Sequence, residues 1–258
     1  MTDSEHSGVK QGLEAFRIAG LPPDFYYIPD FISVEEETSI LQKIPAQRWT
    51  HLSHRRLQAI PSTLTKNNTL LASPLPVYLS NPIVDRFKAL GIFDHTPHQQ
   101  PNHVLINEYK SGEGIMPHED GDAYAPVVAT VSLGSSLCLD ILPKPSASQE
   151  NGSDVADETT EEEEFKIPTC IYQEPRSLLV TTGAAYRRLM HGIAPIDVDE
   201  GLCAETVANW GLLREESKVK IEAEGGRSKR ETRVSLTYRD VLKVSAAASK
   251  ILGGLGKR

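Results

Sequence analysis

The 258-residue sequence has no run approaching the roughly 20 consecutive apolar residues that a membrane helix requires, so no membrane span is expected. Its start, MTDSEHSGVK, lacks both a basic region and an apolar one. No secretory signal is therefore expected, and the protein should remain inside the cell, in the nucleus, the cytoplasm or both. Cysteine is scarce: Cys138, Cys170 and Cys203 are odd in number and lack the close spacing of a thiolate metal site, which leaves buried or inert thiols. There is no internal repeat. Positive charge is also short. The net charge of −8 looks unpromising for a partner as anionic as nucleic acid.

That deficit is local. Between Pro143 and Pro168 lie eight acids against Lys144 and Lys166, a balance of −6 that leaves the rest of the chain at −2. The stretch cannot bury enough apolar surface to offset its ordering entropy, so a disordered acidic insertion is expected at about 143–166, suited to recruiting protein partners. A second polar stretch at about 214–231, REESKVKIEAEGGRSKRET, reads as another excursion. Its GGRSKR segment reads as a nuclear-import signal or a solvated linker. Residues 1–20 and 246–258 are expected to be tails, flanking a single domain over 21–245.

Within that domain, Ser33 and Glu36 form a capping box ahead of Ile40, Leu41 and Ile44, which share a helical face until Pro45. A second helix is expected at NPIVDRFKALG, with Asn81 as cap, Pro82 at the first helical position and Gly91 past the end. From His103 onward come short strands: HVLINEY, VVATVSL, LCLDIL, TCIYQ, RSLLVTT and TRVSLTYR. Helices first and strands later imply an α+β protein with a largely antiparallel sandwich or barrel-like core, buttressed by amino-terminal helices.

The chemistry lies among the strands. His118 and Asp120 are one residue apart in MPHEDGD, and on an extended segment that spacing turns both side chains to one side. His191 follows far downstream in LMHGIAP. Two imidazoles and one carboxylate make the facial triad that suits non-haem Fe(II) and leaves positions open. In the strand beginning at Arg233, alternation sets Arg233, Ser235, Thr237 and Arg239 on one face, opposite Val234, Leu236 and Tyr238. Two inward guanidiniums would be costly without an anion, and a dicarboxylate is one that Arg grips through two parallel hydrogen bonds. The alternative is an outward face with both arginines solvated. Asn107 and Tyr109 share a face just ahead of the metal motif, and each can donate to a carboxylate oxygen.

Asn-x-Tyr, His-x-Asp, a distant His and two arginines six residues apart, in that order, resemble the AlkB family of Fe(II)- and 2-oxoglutarate-dependent dioxygenases. The similarity is strongest to the AlkB homologue six subgroup, through NHVLINEY, GEGIMPHEDG, VSLGSS, EPRSLLV, LMHGIA and TRVSLTYR. The resemblance implies a double-stranded β-helix, or jelly roll, and a cofactor set of Fe(II), 2-oxoglutarate and dioxygen. It implies His118, Asp120 and His191 as metal ligands and catalytic centre. Arg233, aided by Tyr109, would pair with the distal carboxylate of 2-oxoglutarate, Ser235 would belong to the same site, and Asn107 and Arg239 would contact the cosubstrate near its metal-chelating end or shape the adjoining substrate pocket. Ser235 departs from the Asn that many relatives carry there, but its hydroxyl can still donate one bond.

The chemistry so implied couples decarboxylation of 2-oxoglutarate to hydroxylation of a C–H bond, and a hydroxylated N-methyl group loses formaldehyde. Alkylated DNA or RNA is the expected substrate, acted on by a monomer. A protein or small-molecule oxygenase, or a largely non-catalytic interaction protein on the same fold, are the alternatives. Trp49, Arg55 and Arg56 supply a basic and aromatic rim, or else Trp49 packs on the core and both arginines are solvated. Asp122 is either a base contact or turn chemistry. Tyr124 and Tyr186 are pocket walls or core residues. The pairs His51 with His54 and His95 with His98 have no carboxylate cluster and read as surface residues.

Overall fold

Helix α1 (Val34–Lys43) starts at the expected capping box: Ser33 Oγ accepts from the Glu36 backbone N–H, and the Glu36 carboxylate accepts from the Ser33 N–H at 2.8 Å. Ile40 is buried on its inner face. Two further helices, α2 (Val77–Ser80) and α3 (Ile83–Leu90), follow. The computed structural model describes residues 12–144, 167 and 169–245; the acidic insertion, apart from residues 143 and 144, and the tail at 246–258 lie outside these.

The strands are β1 (Phe25–Ile28), β2 (Thr50–Leu52), β3 (Arg55–Ile60), β4 (Thr69–Leu71), β5 (His103–Tyr109), β6 (Ile115–His118), β7 (Tyr124–Gly134), β8 (Leu137–Pro143), β9 (Thr169–Gln173), β10 (Leu178–Thr182), β11 (Leu189–Ile193), β12 (Val198–Asp199), β13 (Ser228–Lys229), β14 (Arg233–Val241) and β15 (Lys243–Ser245). Helix α4 (Gly183–Arg188) joins β10 to β11, and α5 (Glu215–Ala223) precedes β13. A seven-stranded sheet has the order β1-β10-β7-β14-β5-β3-β2, and a four-stranded sheet the order β6-β11-β8-β9. Every pairing in both is antiparallel. These two sheets make the jelly roll, with a cavity between them.

Alternation along β14 decides which side faces that cavity. Val234, Leu236 and Tyr238 are buried with Ile40, Leu79, Ile83 and Phe87 of the amino-terminal helices, so the outer face of the large sheet carries the main core. Burying each such side chain contributes roughly 1.5–3 kcal/mol. That burial fixes the register, and a slip of one residue would drive the arginines into the helices. Tyr238 also donates to the Leu79 carbonyl at 2.9 Å, tying β14 to α2. On the small sheet, β8 and β9 pair from Leu137↔Gln173 to Ile141↔Thr169.

Several expectations need correction. Residues 1–20 are not wholly a tail: Leu13–Phe16 form a 3-10 turn, and Ile18 is fully buried against Phe25, because its apolar surface has a core to enter. The polar stretch at 214–231 is not a structureless excursion, since α5 anchors through buried Ile221 and Arg230 pairs with Asp199 inside the protein. Helix α3 has Pro82, not Asn81, at its cap and no side-chain cap bond, while Gly91 ends it with φ +69° as expected. His98 lies at the surface as expected, with the addition that its Nδ1 lies 2.6 Å from the buried Asp240 carboxylate, which also accepts from Asn102.

Candidate active site

β6 and β11 are neighbours in the small sheet, and His118 pairs directly with His191 across them. Asp120 follows β6 by two residues. One ligand atom from each of the three side chains lies within 4.8 Å of the others. Their chemistry fits a divalent metal. His118 Nδ1 lies 2.9 Å from the Met116 carbonyl, which can only accept, so Nδ1 is the donor there and Nε2 is the nitrogen left to ligate. Burial, opposed by Asp120, holds His191 down to about 4, so it is neutral and able to ligate at neutral pH. Burial resists ionisation of Asp120, but the Arg239 guanidinium and the two imidazoles together outweigh it, and the carboxyl titrates below its usual range.

The triad opens into a cavity of about 330 Å³, within the range of small-molecule sites. Its floor is the inner face of β14 and β5, set out in register. Arg233 pairs with Tyr109, Ser235 with Asn107, Thr237 with Leu105 and Arg239 with His103. Arg233 and Arg239 are thus six residues apart, roughly 20 Å along the strand. Arg239 reaches Asp120 and lies 4.9 Å from the centre of the Tyr124 ring. All of Asn107, Tyr109, His118, Asp120, His191, Arg233, Ser235 and Arg239 line the one cavity. The inward reading of the arginines holds, and the solvated one does not.

Arg233 is 3% exposed. Its Nη2 donates to Ser132 Oγ at 2.9 Å and to Gln173 Oε1, both neutral, and its Nε has no partner. No carboxylate among the described residues forms an ion pair with it. Burial, opposed by Tyr109 and reinforced by the Arg230 charge, pushes its pKa down to about 10. A guanidinium desolvated among neutral groups is a site waiting for an anion.

Some residues of the site were missed or left open by sequence reasoning. Ser132 and Gln173 lie on separate strands, and nothing in their local pattern marks them as partners of Arg233. Arg55 enters the cavity and donates from Nε to Asn107 Oδ1 at 3.2 Å; the signal was its place two residues before Leu57 on an alternating strand. Its neighbour Arg56 turns the other way, stacking 4.4 Å from the Trp49 ring centre and pairing with Glu108 at 2.7 Å. Trp49 packs against the core. Tyr124 and Tyr186 both line the cavity, whereas Asp122 is exposed and does not.

Two histidines and a carboxylate converging in a jelly roll, facing an anion-seeking arginine, define a non-haem iron oxygenase that uses a dicarboxylate cosubstrate. The chain belongs to the 2OG-Fe(II) oxygenase superfamily, whose family profile matches residues 65–239, and within it to the AlkB-like proteins. It is an oxidoreductase that works with Fe(II), 2-oxoglutarate and dioxygen. Over 243 residues it is 37% identical to a Danio rerio protein named as a probable RNA/DNA demethylase, ALKBH6, covering 91% of this chain and 93% of that one. An uncharacterized protein of Acanthamoeba polyphaga mimivirus is 29% identical, with 85% of each chain covered. A Xenopus tropicalis tRNA (carboxymethyluridine(34)-5-O)-methyltransferase, alkbh8, is 30% identical over 86% of this chain, which spans 32% of that longer protein. No helix of the described residues is long and apolar enough to cross a membrane.

Proposed function

We propose that this dioxygenase oxidatively demethylates alkylated DNA or RNA, with Fe(II) held by His118, Asp120 and His191. Arg233 and Tyr109 receive the distal carboxylate of 2-oxoglutarate, and Asn107, Ser235 and Arg239 line the remainder of its path toward the metal. The observation that carries the site is the buried Arg233 guanidinium, which has neutral partners only and faces the same cavity as the triad. The nucleic-acid substrate draws its support from the relative named as an RNA/DNA demethylase, aligned over nearly its whole length.

Bound together, iron, 2-oxoglutarate and dioxygen supply the oxidising equivalent that hydroxylates a substrate C–H bond, with succinate and carbon dioxide as coproducts. The protein's own part is positioning. Arg239 keeps Asp120 ionised and oriented, the Met116 carbonyl fixes the His118 tautomer, and the apolar walls Leu105, Leu139, Ile141 and Ile193 exclude water. A target base must leave its stack to reach this interior. Tyr124, Tyr186 and the exposed β2–β3 hairpin border the approach. On this reading the protein works in the nucleus or the cytoplasm as a monomer, and the acidic segment recruits protein partners.

Incubation with Fe(II), 2-oxoglutarate and a panel of N-methylated DNA and RNA oligonucleotides should yield succinate and formaldehyde in step. Succinate stimulated by methylated peptides or small molecules, and by no oligonucleotide, would overturn the substrate reading.

A further inference from the structure

We infer that Arg55 is a positioning residue of the cosubstrate site: acting through Asn107, it turns that side-chain amide so that the NH2 group, and not the carbonyl oxygen, faces the cavity. The inference rests on the proposed role of Asn107 in binding 2-oxoglutarate.

Arg55 opens β3, and Leu57 two residues on pairs with Asn107, so Arg55 stands diagonally beside the amide on the cavity face. Its Nε donates to Asn107 Oδ1 at 3.2 Å. A guanidinium has donors and no acceptor, so only the amide oxygen can face it. The amide NH2 must then point elsewhere. Asn107 is 7% exposed. Its in-register neighbours are Leu57 on one side, which has no polar group, and Ser235 on the other, so the direction left to the NH2 is toward Ser235 and the cavity.

The orientation matters because the expected ligand is a dianion. An inward NH2 donates to a carboxylate, whereas an inward carbonyl oxygen repels it. Without a tether, the amide of an Asn can present either end. Apparent affinity then falls in proportion to the fraction holding the competent orientation. Arg55 removes that ambiguity before the ligand arrives. It does so from a partly exposed hairpin that is itself fastened beside the metal motif, since the His54 carbonyl accepts from the Gly114 N–H at 3.2 Å.

The test is a double-mutant cycle on the full-length protein loaded with Mn(II), which blocks turnover, with 2-oxoglutarate binding read by titration calorimetry. Arg55→Met should weaken 2-oxoglutarate binding by roughly three- to tenfold. Arg55→Lys should recover most of it, because an ammonium is also a donor without an acceptor. In an Asn107→Ala background, Arg55→Met should change affinity by less than about twofold, as the positioned group is gone. The metal-free melting temperature of each variant serves as the folding control. Equal weakening in both backgrounds would mean that Arg55 merely attracts the dianion through its charge, and the positioning role would fall. No effect of Arg55→Met in the otherwise unaltered protein would also overturn it. Unchanged binding by Asn107→Ala alone would remove Asn107 from the cosubstrate site and take the inference with it.

Discussion

His118 and His191 are direct partners across the β6–β11 ladder, with ring centres 4.4 Å apart and planes inclined by 53°. The sheet register therefore sets the spacing between two of the three metal ligands, and only Asp120 depends on the turn beyond β6. Each ligand should be separately necessary. Anaerobic Fe(II) titration of His118→Ala, Asp120→Ala and His191→Ala should show loss of tight binding in all three, and any variant that titrates like the unaltered protein does not supply a ligand.

Arg233→Leu separates cosubstrate binding from folding. Truncating one partner of a buried charge pair costs about 2–5 kcal/mol, so 2-oxoglutarate affinity should drop by that amount. The ligand-free protein loses only a buried cation with neutral partners and should melt no lower by a comparable margin. Thermal melts with Mn(II), with and without 2-oxoglutarate, read both effects. Equal ligand-induced shifts in the two proteins would place Arg233 outside the site.

His103 should make stability depend on pH. It is buried, neither ring nitrogen has a partner, and burial together with the neighbouring Arg239 lowers its pKa from 6.5 to about 4. The unfolded chain thus takes up a proton at a higher pH than the folded one. Stability is complete above pH 6.5 and falls as the pH drops from 6.5 toward 4, by up to about 2 kcal/mol between pH 7 and pH 5. Urea unfolding of His103→Leu at the two pH values should show a shallower decline than the unaltered protein. Identical declines would show that the imidazole charges as readily folded as unfolded.

Gly114 is a steric requirement of the site. A Cβ there would lie 2.2 Å from the Ile193 carbonyl oxygen, a backbone atom that cannot step aside without moving β11. Gly114→Ala should cost about 1–3 kcal/mol of stability, and it should weaken metal binding because His191 shares that strand. Metal affinity equal to that of the unaltered protein would uncouple the loop from the triad.

The triad and the two arginines were legible because strands broadcast their faces: a two-residue period marks who points inward, and β14 followed it through all of Arg233–Arg239. Sequence order and motif spacing supplied the rest of the floor. The partners of Arg233 were not legible, since Ser132 and Gln173 meet it only through sheet pairing over long sequence separations. Arg55 and Arg56 show the same limit. Adjacent and identical in type, they part because β3 sends one to the cavity and the other to Trp49 and Glu108. Ile18 was misjudged for another reason: local composition says nothing about whether a core lies within reach.

The pairing of β8 with β9 joins the two points where the chain leaves and re-enters the small sheet, independently of what lies between. Lengthening such an interval is inexpensive, at about 0.6 kcal/mol per doubling. The strand that opens it also sends Leu139 and Ile141 into the cavity wall. This makes the junction an insertion port for engineering: a fluorescent module spliced there would ride on a strand touching the ligand chamber, so that filling the chamber could be reported as a change in colour.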